Sequence, residues 1–373
     1  MVCIYREGRD IFSISVNYKH SLPVQQSCYR FLLAHFAEHL VVVAACKRLR
    51  DENDKIQGIE KYVSGLTNVE YTSFQLIASN QYLCCVKDFV NSICDHDLQY
   101  LSTEDFDEQK KYVLREYEYA GDSYQGSCNR FFYIMNGFEE IDVEKTLNNI
   151  SFEELQNFIY ENFSPSKCKV VYIGKHVNEL QNVSLISNKI ALNEPYKENF
   201  SSISSSLMKV FPSNKTEAWF GYRIPCISGM SDYIAHELVA KVIQIILHLS
   251  NKDEIENLKI INVGTHYTGR CPYSLYCVNT TFEKLKFEYT IDQIRLLVQA
   301  VTQEYRTRFY IKMDSLVELS KFIKKFYMLT GEIQYKLTDD IFHAFFTDNV
   351  CRLVDSICKK REFVVMQYYI NEK

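Results

Sequence analysis

Glycine and proline are scarce in this chain, which has 12 glycines and 6 prolines among 373 residues. Average usage is about 7% and 5%, so the scarcity favours long helices and strands with few breaks. The G-x-G-x-x-G, G-x-S-x-G and C-x-x-C patterns are missing, which leaves dinucleotide-binding, serine-hydrolase and thioredoxin-like functions without support. No stretch reaches the roughly 18 uninterrupted apolar residues that a membrane span requires.

The chain also lacks an excess of positive charge. Its 42 basic and 47 acidic side chains give a net charge of −5, which argues against a surface dedicated to nucleic acid. The first residues, MVCIYREGRDIF, do not show the basic and then apolar pattern of a secretory signal. Thirteen cysteines are scattered without a framework of spacings, which favours free thiols. We therefore expect a soluble, cytoplasmic protein.

Length and composition predict two domains with real cores. Hydrophobic residues make up 47% of the chain, and a chain of this length suits two domains of about 150–200 residues. Residues 181–206 mix polar residues, a proline and a serine run, which is typical of a connector. We therefore expect an N-terminal domain over 1–180, a linker over 181–206 and a C-terminal domain over 207–373.

Four local patterns predict how these domains are built. Residues Ile11–Tyr18 alternate as a half-buried strand does. Residues Gln25–Leu49 form a helical pattern that is apolar on nearly every face, which places the helix inside the protein. A second helix is predicted over Thr103–Ala120, and Ser151 with Glu154 forms an S-x-x-E capping box at the start of a third. Since each half also ends as a helix followed by a strand, we expect two similar α+β domains.

The buried helix contains His35-Phe-Ala-Glu38-His39, an H-x-x-E-H pattern. Residues four apart share one face of a helix, so both imidazoles can reach one ion. Zinc accepts imidazole nitrogens and, in catalytic sites, leaves one position for water. Glu38 can approach the same ion without binding it, which is the position of a general base. The alternative, two core histidines bonded to carbonyls, is disfavoured because burying all three polar groups would be costly.

A third protein ligand is expected from the Thr103–Ala120 helix. Glu116 follows Val113 by three positions and so lies beside an apolar residue that could carry it inward. Glu118 is the alternative, nearer to Leu114 by spacing. Periodicity alone does not separate the two, and either could be a solvated surface glutamate.

The runs LLAHFAEHL and, about 77 residues later, VLREYEYAGDS resemble the insulinase/pitrilysin family of zinc metallopeptidases. H-x-x-E-H is the inverzincin signature. By that resemblance His35 and His39 are zinc ligands, Glu38 is the catalytic base and Glu116 is the third ligand. The implied fold is two similar α/β-sandwich domains, each an antiparallel-rich sheet packed with helices, which together form one half of a clam-shell peptidase.

The resemblance also implies a partner and a substrate. A chain of this length matches a short, single-half bacterial member, so a second half is expected as a homodimer or as a related subunit. The implied activity is zinc-dependent cleavage of peptides in the shared chamber, such as the maturation of a ribosomally made bacteriocin. The alternative is a non-catalytic partner subunit of a heterodimeric processing peptidase.

Three positions depart from the family pattern or match it loosely. The family has a second glutamate seven residues before the third ligand, and here that position is Gln109. Family members often have an Arg and a Tyr near the substrate carbonyl, and Arg270 and Tyr267 match these loosely. Tyr267 is equally well explained as a tyrosine on the face of a strand. Since the zinc pattern is intact, the sequence predicts an active but divergent peptidase.

Overall fold

The structure is a computed structural model, and only part of the chain is described below. The described residues are 2–7, 10–19, 27–52, 58–68, 71–95, 98–120, 124–136, 141–177, 208–213, 216–224, 227–266, 273–330, 341 and 344–370.

The chain divides into two compact units. Unit 1 comprises Met1–Asn129, Phe138–Asn193 and Ser315–Met328. Unit 2 comprises Arg130–Gly137, Glu194–Asp314 and Leu329–Lys373. Each unit thus contains a short segment that lies, in sequence, within the other half of the chain.

Unit 1 contains a five-stranded sheet. Its strands are β1 (Val2–Tyr5), β2 (Ile11–Lys19), β3 (Val63–Thr67), β4 (Tyr71–Ser79) and β5 (Cys168–Gly174). They lie in the order β1-β5-β2-β4-β3, antiparallel except for the parallel pair β1 and β5. Strand β3 therefore forms one edge of the sheet and pairs with β4 alone among the described strands.

Unit 2 contains a second sheet of the same topology. Its strands are β6 (Met208–Ser213), β7 (Glu217–Arg223), β8 (Ile260–His266), β9 (Tyr273–Val278) and β10 (Val364–Ile370). The strand order is β6-β10-β7-β9-β8, and β6 and β10 form the parallel pair, so the arrangement repeats that of unit 1. The expected α+β class with two similarly built domains is confirmed.

Ten helices are described in the same ranges. In chain order they are α1 (Ser27–Glu52), α2 (Val86–Cys94), α3 (Thr103–Ala120), α4 (Tyr124–Asn136), α5 (Val143–Asn149), α6 (Phe152–Asn162), α7 (Met230–Asn251), α8 (Ile291–Asp314), α9 (Leu316–Thr330) and α10 (Ala344–Lys360). The all-round apolar helix of the sequence is α1, which packs against α2, α3 and α6. Ser151 caps α6 through a 3.1 Å hydrogen bond from the Glu154 amide, so half of the predicted capping box forms. The Glu154 carboxylate accepts a hydrogen bond from Tyr29 instead.

Strand β2 is buried on both faces, and the expectation of a half-buried strand is wrong. Residues 12–18 are all buried. The second face is polar, and α9 covers it: the Ser320 hydroxyl lies 2.8 Å from that of Ser13 and accepts a 2.7 Å hydrogen bond from the Gln75 amide. Local alternation could not predict this, because Ser320 is 307 positions from Ser13.

Two helices, Cys28–Asp51 and Met230–Asn251, are long and apolar enough to cross a membrane by length and composition. In each, 61% of the most apolar window is buried inside the protein. This is weak support for a span, because the core helix of a globular protein passes the same test.

Candidate metal centre and active site

Helix α1 places His35 and His39 side by side. The two imidazole centroids are 4.9 Å apart, as expected for residues one turn apart on a helix. The intervening Phe36 and Ala37 are fully buried, so hydrophobic burial fixes the rotation of the helix. That rotation leaves the two histidine side chains 18% and 16% exposed, which keeps them within reach of a ligand.

Helix α3 brings Glu116 to both histidines. Its two carboxylate oxygens lie 3.2 Å from His35 Nε2 and 3.6 Å from His39 Nε2. Val113, one turn earlier, is fully buried and anchors this part of α3. Glu118 is exposed, and the described structure records no contact between its carboxylate and either imidazole. Of the two glutamates that sequence periodicity left open, Glu116 is thus the one that lies beside the two imidazoles.

The three side chains have the chemistry of a zinc site. One atom from each of His35, His39 and Glu116 lies within 4.8 Å of the others, and this is the one such group found among the described residues. Two imidazole nitrogens and one carboxylate oxygen are a donor set that catalytic zinc uses, with the fourth position left for water or substrate. Hydrogen bonding from His35 is the main cause that lowers the pKa of Glu116, which favours the ionised carboxylate.

Glu38 lies beside this group but outside it. It is 7% exposed, and its carboxylate accepts a 3.3 Å hydrogen bond from Thr67 of β3. Burial raises the pKa of Glu38 to about 7, although His35 and the Thr67 hydrogen bond act in the opposite direction. A carboxyl group that exchanges its proton near neutral pH suits general acid–base chemistry.

Strand β3 makes room for Glu38 at a glycine. A Cβ atom on Gly65 would lie 1.9 Å from Glu38 Oε1 and 2.5 Å from Cδ, far inside van der Waals contact. The side chain of Glu38 can therefore adopt this position only because residue 65 has no side chain. Sequence reasoning missed both Gly65 and Thr67, since neither carries a metal ligand or a charge that would single it out.

Gln109 supports the second histidine. Gln109 lies about two turns before Glu116 on α3, and its Oε1 is 3.2 Å from His39 Nδ1. A hydrogen bond to Nδ1 fixes the ring orientation and leaves Nε2 for the metal. Burial, the largest cause, lowers the pKa of His39, which favours the neutral imidazole that binds metals. The other two predicted site residues, Tyr267 and Arg270, lie outside the described residues.

No protein-family model and no curated protein matches this chain, but solved structures do. A protease from Helicobacter pylori superposes with a TM-score of 0.70 at 12% identity, over 97% of this chain and 95% of that one. The first half of the periplasmic protease PqqL from Escherichia coli gives 0.67 at 12% identity, over 99% and 89%. The M16 peptidase inactive domain from Pseudomonas fluorescens gives 0.63 at 11% identity, over 99% and 95%. The fold is that of M16 peptidases.

The M16-like fold agrees with the insulinase-like architecture expected from the sequence. At identities of 11–12% the likeness extends to the fold alone. In the complete PqqL structure, this chain covers 99% of its own length but 46% of that protein. The chain therefore has the size of one half of a two-half M16 protease.

Proposed function

We propose that this chain is a zinc-dependent metalloendopeptidase. The observation that carries the proposal is the juxtaposition in unit 1 of a His35–His39–Glu116 group with a separate buried carboxylate, Glu38. Three ligands and an adjacent, non-ligating acid are the parts that zinc hydrolysis requires. An isolated structural zinc site would instead use four protein ligands, usually rich in cysteine.

Each side chain then has a distinct role. His35, His39 and Glu116 would hold the ion, and Gln109 would orient the ring of His39. Bound zinc supplies Lewis acidity for the scissile carbonyl. Glu38 would take the proton from the attacking water on its carboxylate and then deliver it to the leaving amine.

A peptide substrate would lie along β3. This strand is at the edge of the sheet of unit 1, and an edge strand has unpaired N–H and C=O groups that an extended peptide can use as a new sheet partner. Gly65 and Thr67 of β3 contact Glu38, so a peptide added at this edge would pass beside the base. Main-chain pairing of this kind selects extended peptides and places few demands on their sequence.

Replacing Glu38 by Gln tests the assignment. The Glu38→Gln variant should retain about one zinc per chain and lose cleavage of a flexible fluorogenic peptide by roughly 10³-fold or more, because the proton acceptor is gone. Glu118→Gln, an exposed glutamate of α3, is the matched control and should change neither property. His35→Ala should lose zinc as well as cleavage. Unchanged turnover in Glu38→Gln would refute the role given to Glu38.

The substrate and partner are further parts of the proposal. A chain that covers 46% of complete PqqL suits a dimer, with a second copy or a related half completing the chamber. Peptide and small-protein substrates are the class proposed, and precursors of ribosomally made peptides such as bacteriocins belong to it. Free thiols, recorded for all eleven described cysteines, are compatible with the cytoplasmic location we propose.

A non-catalytic partner subunit is the second candidate. The likeness to the inactive M16 domain from Pseudomonas fluorescens favours it, because this fold exists without activity. Elemental analysis separates the two candidates. A zinc content of about one ion per chain in the wild type, and a lower content in Glu116→Gln, supports the peptidase. Protein purified without chelator that holds no zinc and cleaves only when another chain is present supports the partner subunit.

A further inference from the structure

Cys94 and Cys168 form a buried thiol pair in unit 1 and do not belong to the His35–His39–Glu116 group. Cys94 is the last residue of α2 and Cys168 is the first residue of β5. Their sulfur atoms are 3.9 Å apart, and the two residues are 3% and 4% exposed. A disulfide needs a sulfur separation of about 2.05 Å, so the two sulfur atoms must approach by about 2 Å to be joined.

The surroundings determine which thiol ionises first. The Tyr18 hydroxyl donates to Cys94 Sγ at 3.6 Å, and Cys94 in turn donates to Cys168 Sγ. This last hydrogen bond is the main cause that raises the pKa of Cys94 and lowers the pKa of Cys168. Cys168 is therefore the better nucleophile of the two, and Cys94 is placed to resolve the product.

We propose that Cys94 and Cys168 are a peroxide-reactive pair that closes to a disulfide and locks unit 1. The Cys168 thiolate attacks one oxygen of hydrogen peroxide; an S–O bond forms, the O–O bond breaks, and hydroxide leaves and is protonated to water. Cys94 then gives up its proton and attacks the Cys168 sulfur, forming the S–S bond as the S–O bond breaks and a second water leaves. Two thiols are oxidised, and one peroxide is reduced to two waters.

The burial of the pair selects the oxidant. Hydrogen peroxide is not much larger than a water molecule, whereas oxidised glutathione is a hexapeptide-sized disulfide that cannot approach sulfur atoms with 3–4% residue exposure. Cys84, which is exposed, is the internal comparison, because both reagents can reach it. We therefore expect peroxide to modify both Cys84 and the buried pair, and oxidised glutathione to modify Cys84 but not the pair.

The cross-link would span 74 positions of sequence. That span includes α3, which carries Gln109 and Glu116 and packs against α1 in the folded protein. The disulfide would restrict the conformations of this segment in the unfolded chain. A loop of this length belongs to the range in which a disulfide has its larger effects on stability. We expect the thermal midpoint of unit 1 to rise by roughly 5 °C or more.

The test treats the full-length native protein with hydrogen peroxide or with oxidised glutathione, alkylates the remaining thiols in denaturant and maps the linked peptides by mass spectrometry. We expect a Cys94–Cys168 link after peroxide, the higher thermal midpoint, and reversal of both by dithiothreitol. Glutathione should label Cys84 and leave the pair reduced. The single variants Cys94→Ser and Cys168→Ser should show no midpoint rise with peroxide, while Cys84→Ser should behave as wild type.

Several outcomes would overturn the proposal. One is full alkylation of Cys94 and Cys168 after a peroxide dose that oxidises Cys84; another is sulfinic acid at Cys168 without the link. A link that forms only when the protein is oxidised in urea would also contradict the proposal, because the disulfide would then not depend on the 3.9 Å separation of the sulfur atoms in the folded protein. Wild-type mapping decides the matter even if a serine variant does not fold. Zinc and peptide cleavage do not enter the readout, so failure here leaves the proposed peptidase function untouched.

Discussion

Gly65 is the residue on which the position of Glu38 depends. A methyl group at residue 65 would overlap the end of the Glu38 side chain, 1.9 Å from Oε1. Since that end is flexible, the side chain can move away and the strand can remain in place. Gly65→Ala should therefore fold and keep zinc while kcat/KM for peptide cleavage falls by roughly 10²-fold, the scale expected when a reacting group is displaced by about 1 Å.

Ser64→Ala is the matched control for Gly65→Ala, because Ser64 is the exposed neighbour on the same strand. Peptide turnover and zinc content, measured together, distinguish displacement of the base from loss of the fold. Wild-type kcat/KM in Gly65→Ala would show that the Glu38 position seen here is not the one used in cleavage.

Gln109 should contribute to metal affinity through His39. Removing its Oε1, 3.2 Å from His39 Nδ1, frees the ring to rotate and to exchange tautomers. Loss of such a supporting contact typically costs 10–100-fold in metal affinity. We expect that decrease in Gln109→Ala and recovery in Gln109→Glu, measured by competition against a zinc chelator. Glu108→Ala, at an exposed position of the same helix, should leave the affinity unchanged; an unaltered affinity in Gln109→Ala would contradict the role.

How far the site can be predicted depends on where each residue lies. His35, Glu38 and His39 belong to one helix turn, so helical spacing alone predicts that they meet. Glu116 comes from another helix, and the packing of α3 on α1 is what places it, rather than Glu118, beside the two imidazoles. The role of Gly65 could not be predicted from the sequence. It depends on the missing side chain, which matters only because β3 lies against Glu38 in the folded protein.

At the scale of elements, α9 shows what local patterns omit. It covers the polar face of β2, and it does so with a lysine among its buried residues: Lys324 is 4% exposed. Burial, with a smaller contribution from Lys321 on the same helix, lowers the pKa of Lys324 to about 8. Alternation along β2 predicted a solvated polar face, and the distant α9 segment covers that face at Ser13.

Lys324→Met should stabilise the protein. At pH 7 the folded state must hold a desolvated ammonium, and a shift from 10.5 to about 8 corresponds to a penalty of roughly 3 kcal/mol. Between pH 8 and 10.5 the unfolded state keeps a proton that the folded state has lost, so the wild-type free energy of unfolding should rise with pH in that window. In Lys324→Met that rise should be reduced, with a gain of roughly 1–3 kcal/mol at pH 7.

Urea unfolding at pH 7, 8, 9 and 10 measures both effects of Lys324→Met. Lys321→Met removes a lysine with a 61% exposed side chain from the same helix. This control should change the stability and its pH dependence much less than Lys324→Met does, because Lys321 makes only the smaller contribution to the pKa of Lys324. A Lys324→Met protein that is less stable than wild type at pH 7 would show that the ammonium is compensated in the folded state.

At the scale of the whole molecule, the sequence predicted two similar α+β domains, and both sheets share one strand order. The connector predicted over 181–206 lies outside the described residues and stays a prediction. Composition gave no sign that Ser315–Met328 packs with unit 1 or Arg130–Gly137 with unit 2, because a helix carries no local signal of which sheet it will cover.

This assignment predicts how the chain responds to being divided. A fragment of residues 1–193 contains the strands and the proposed metal ligands of unit 1 but lacks α9, whose Ser320 forms hydrogen bonds with Ser13 and Gln75. Without α9 the buried polar face of β2 and the apolar residues around it would meet water. The fragment should therefore melt at least 10 °C below the intact chain, or without a cooperative transition, because several kcal/mol of burial are lost.

Cutting the chain and truncating it should have different consequences. Full-length protein cleaved once within the connector predicted at 181–206 still contains α9, and its unit 1 should melt close to the uncut value. Adding a peptide of residues 315–330 to the 1–193 fragment should raise the fragment's midpoint. The same peptide with Ser320→Leu should raise it less, because the buried Gln75 amide would lose one of its two hydroxyl acceptors and keep only Ser13. A 1–193 fragment that melts with the nicked chain would mean that α9 contributes nothing to unit 1, and the stability of that sheet would then rest on α1 and its neighbours alone.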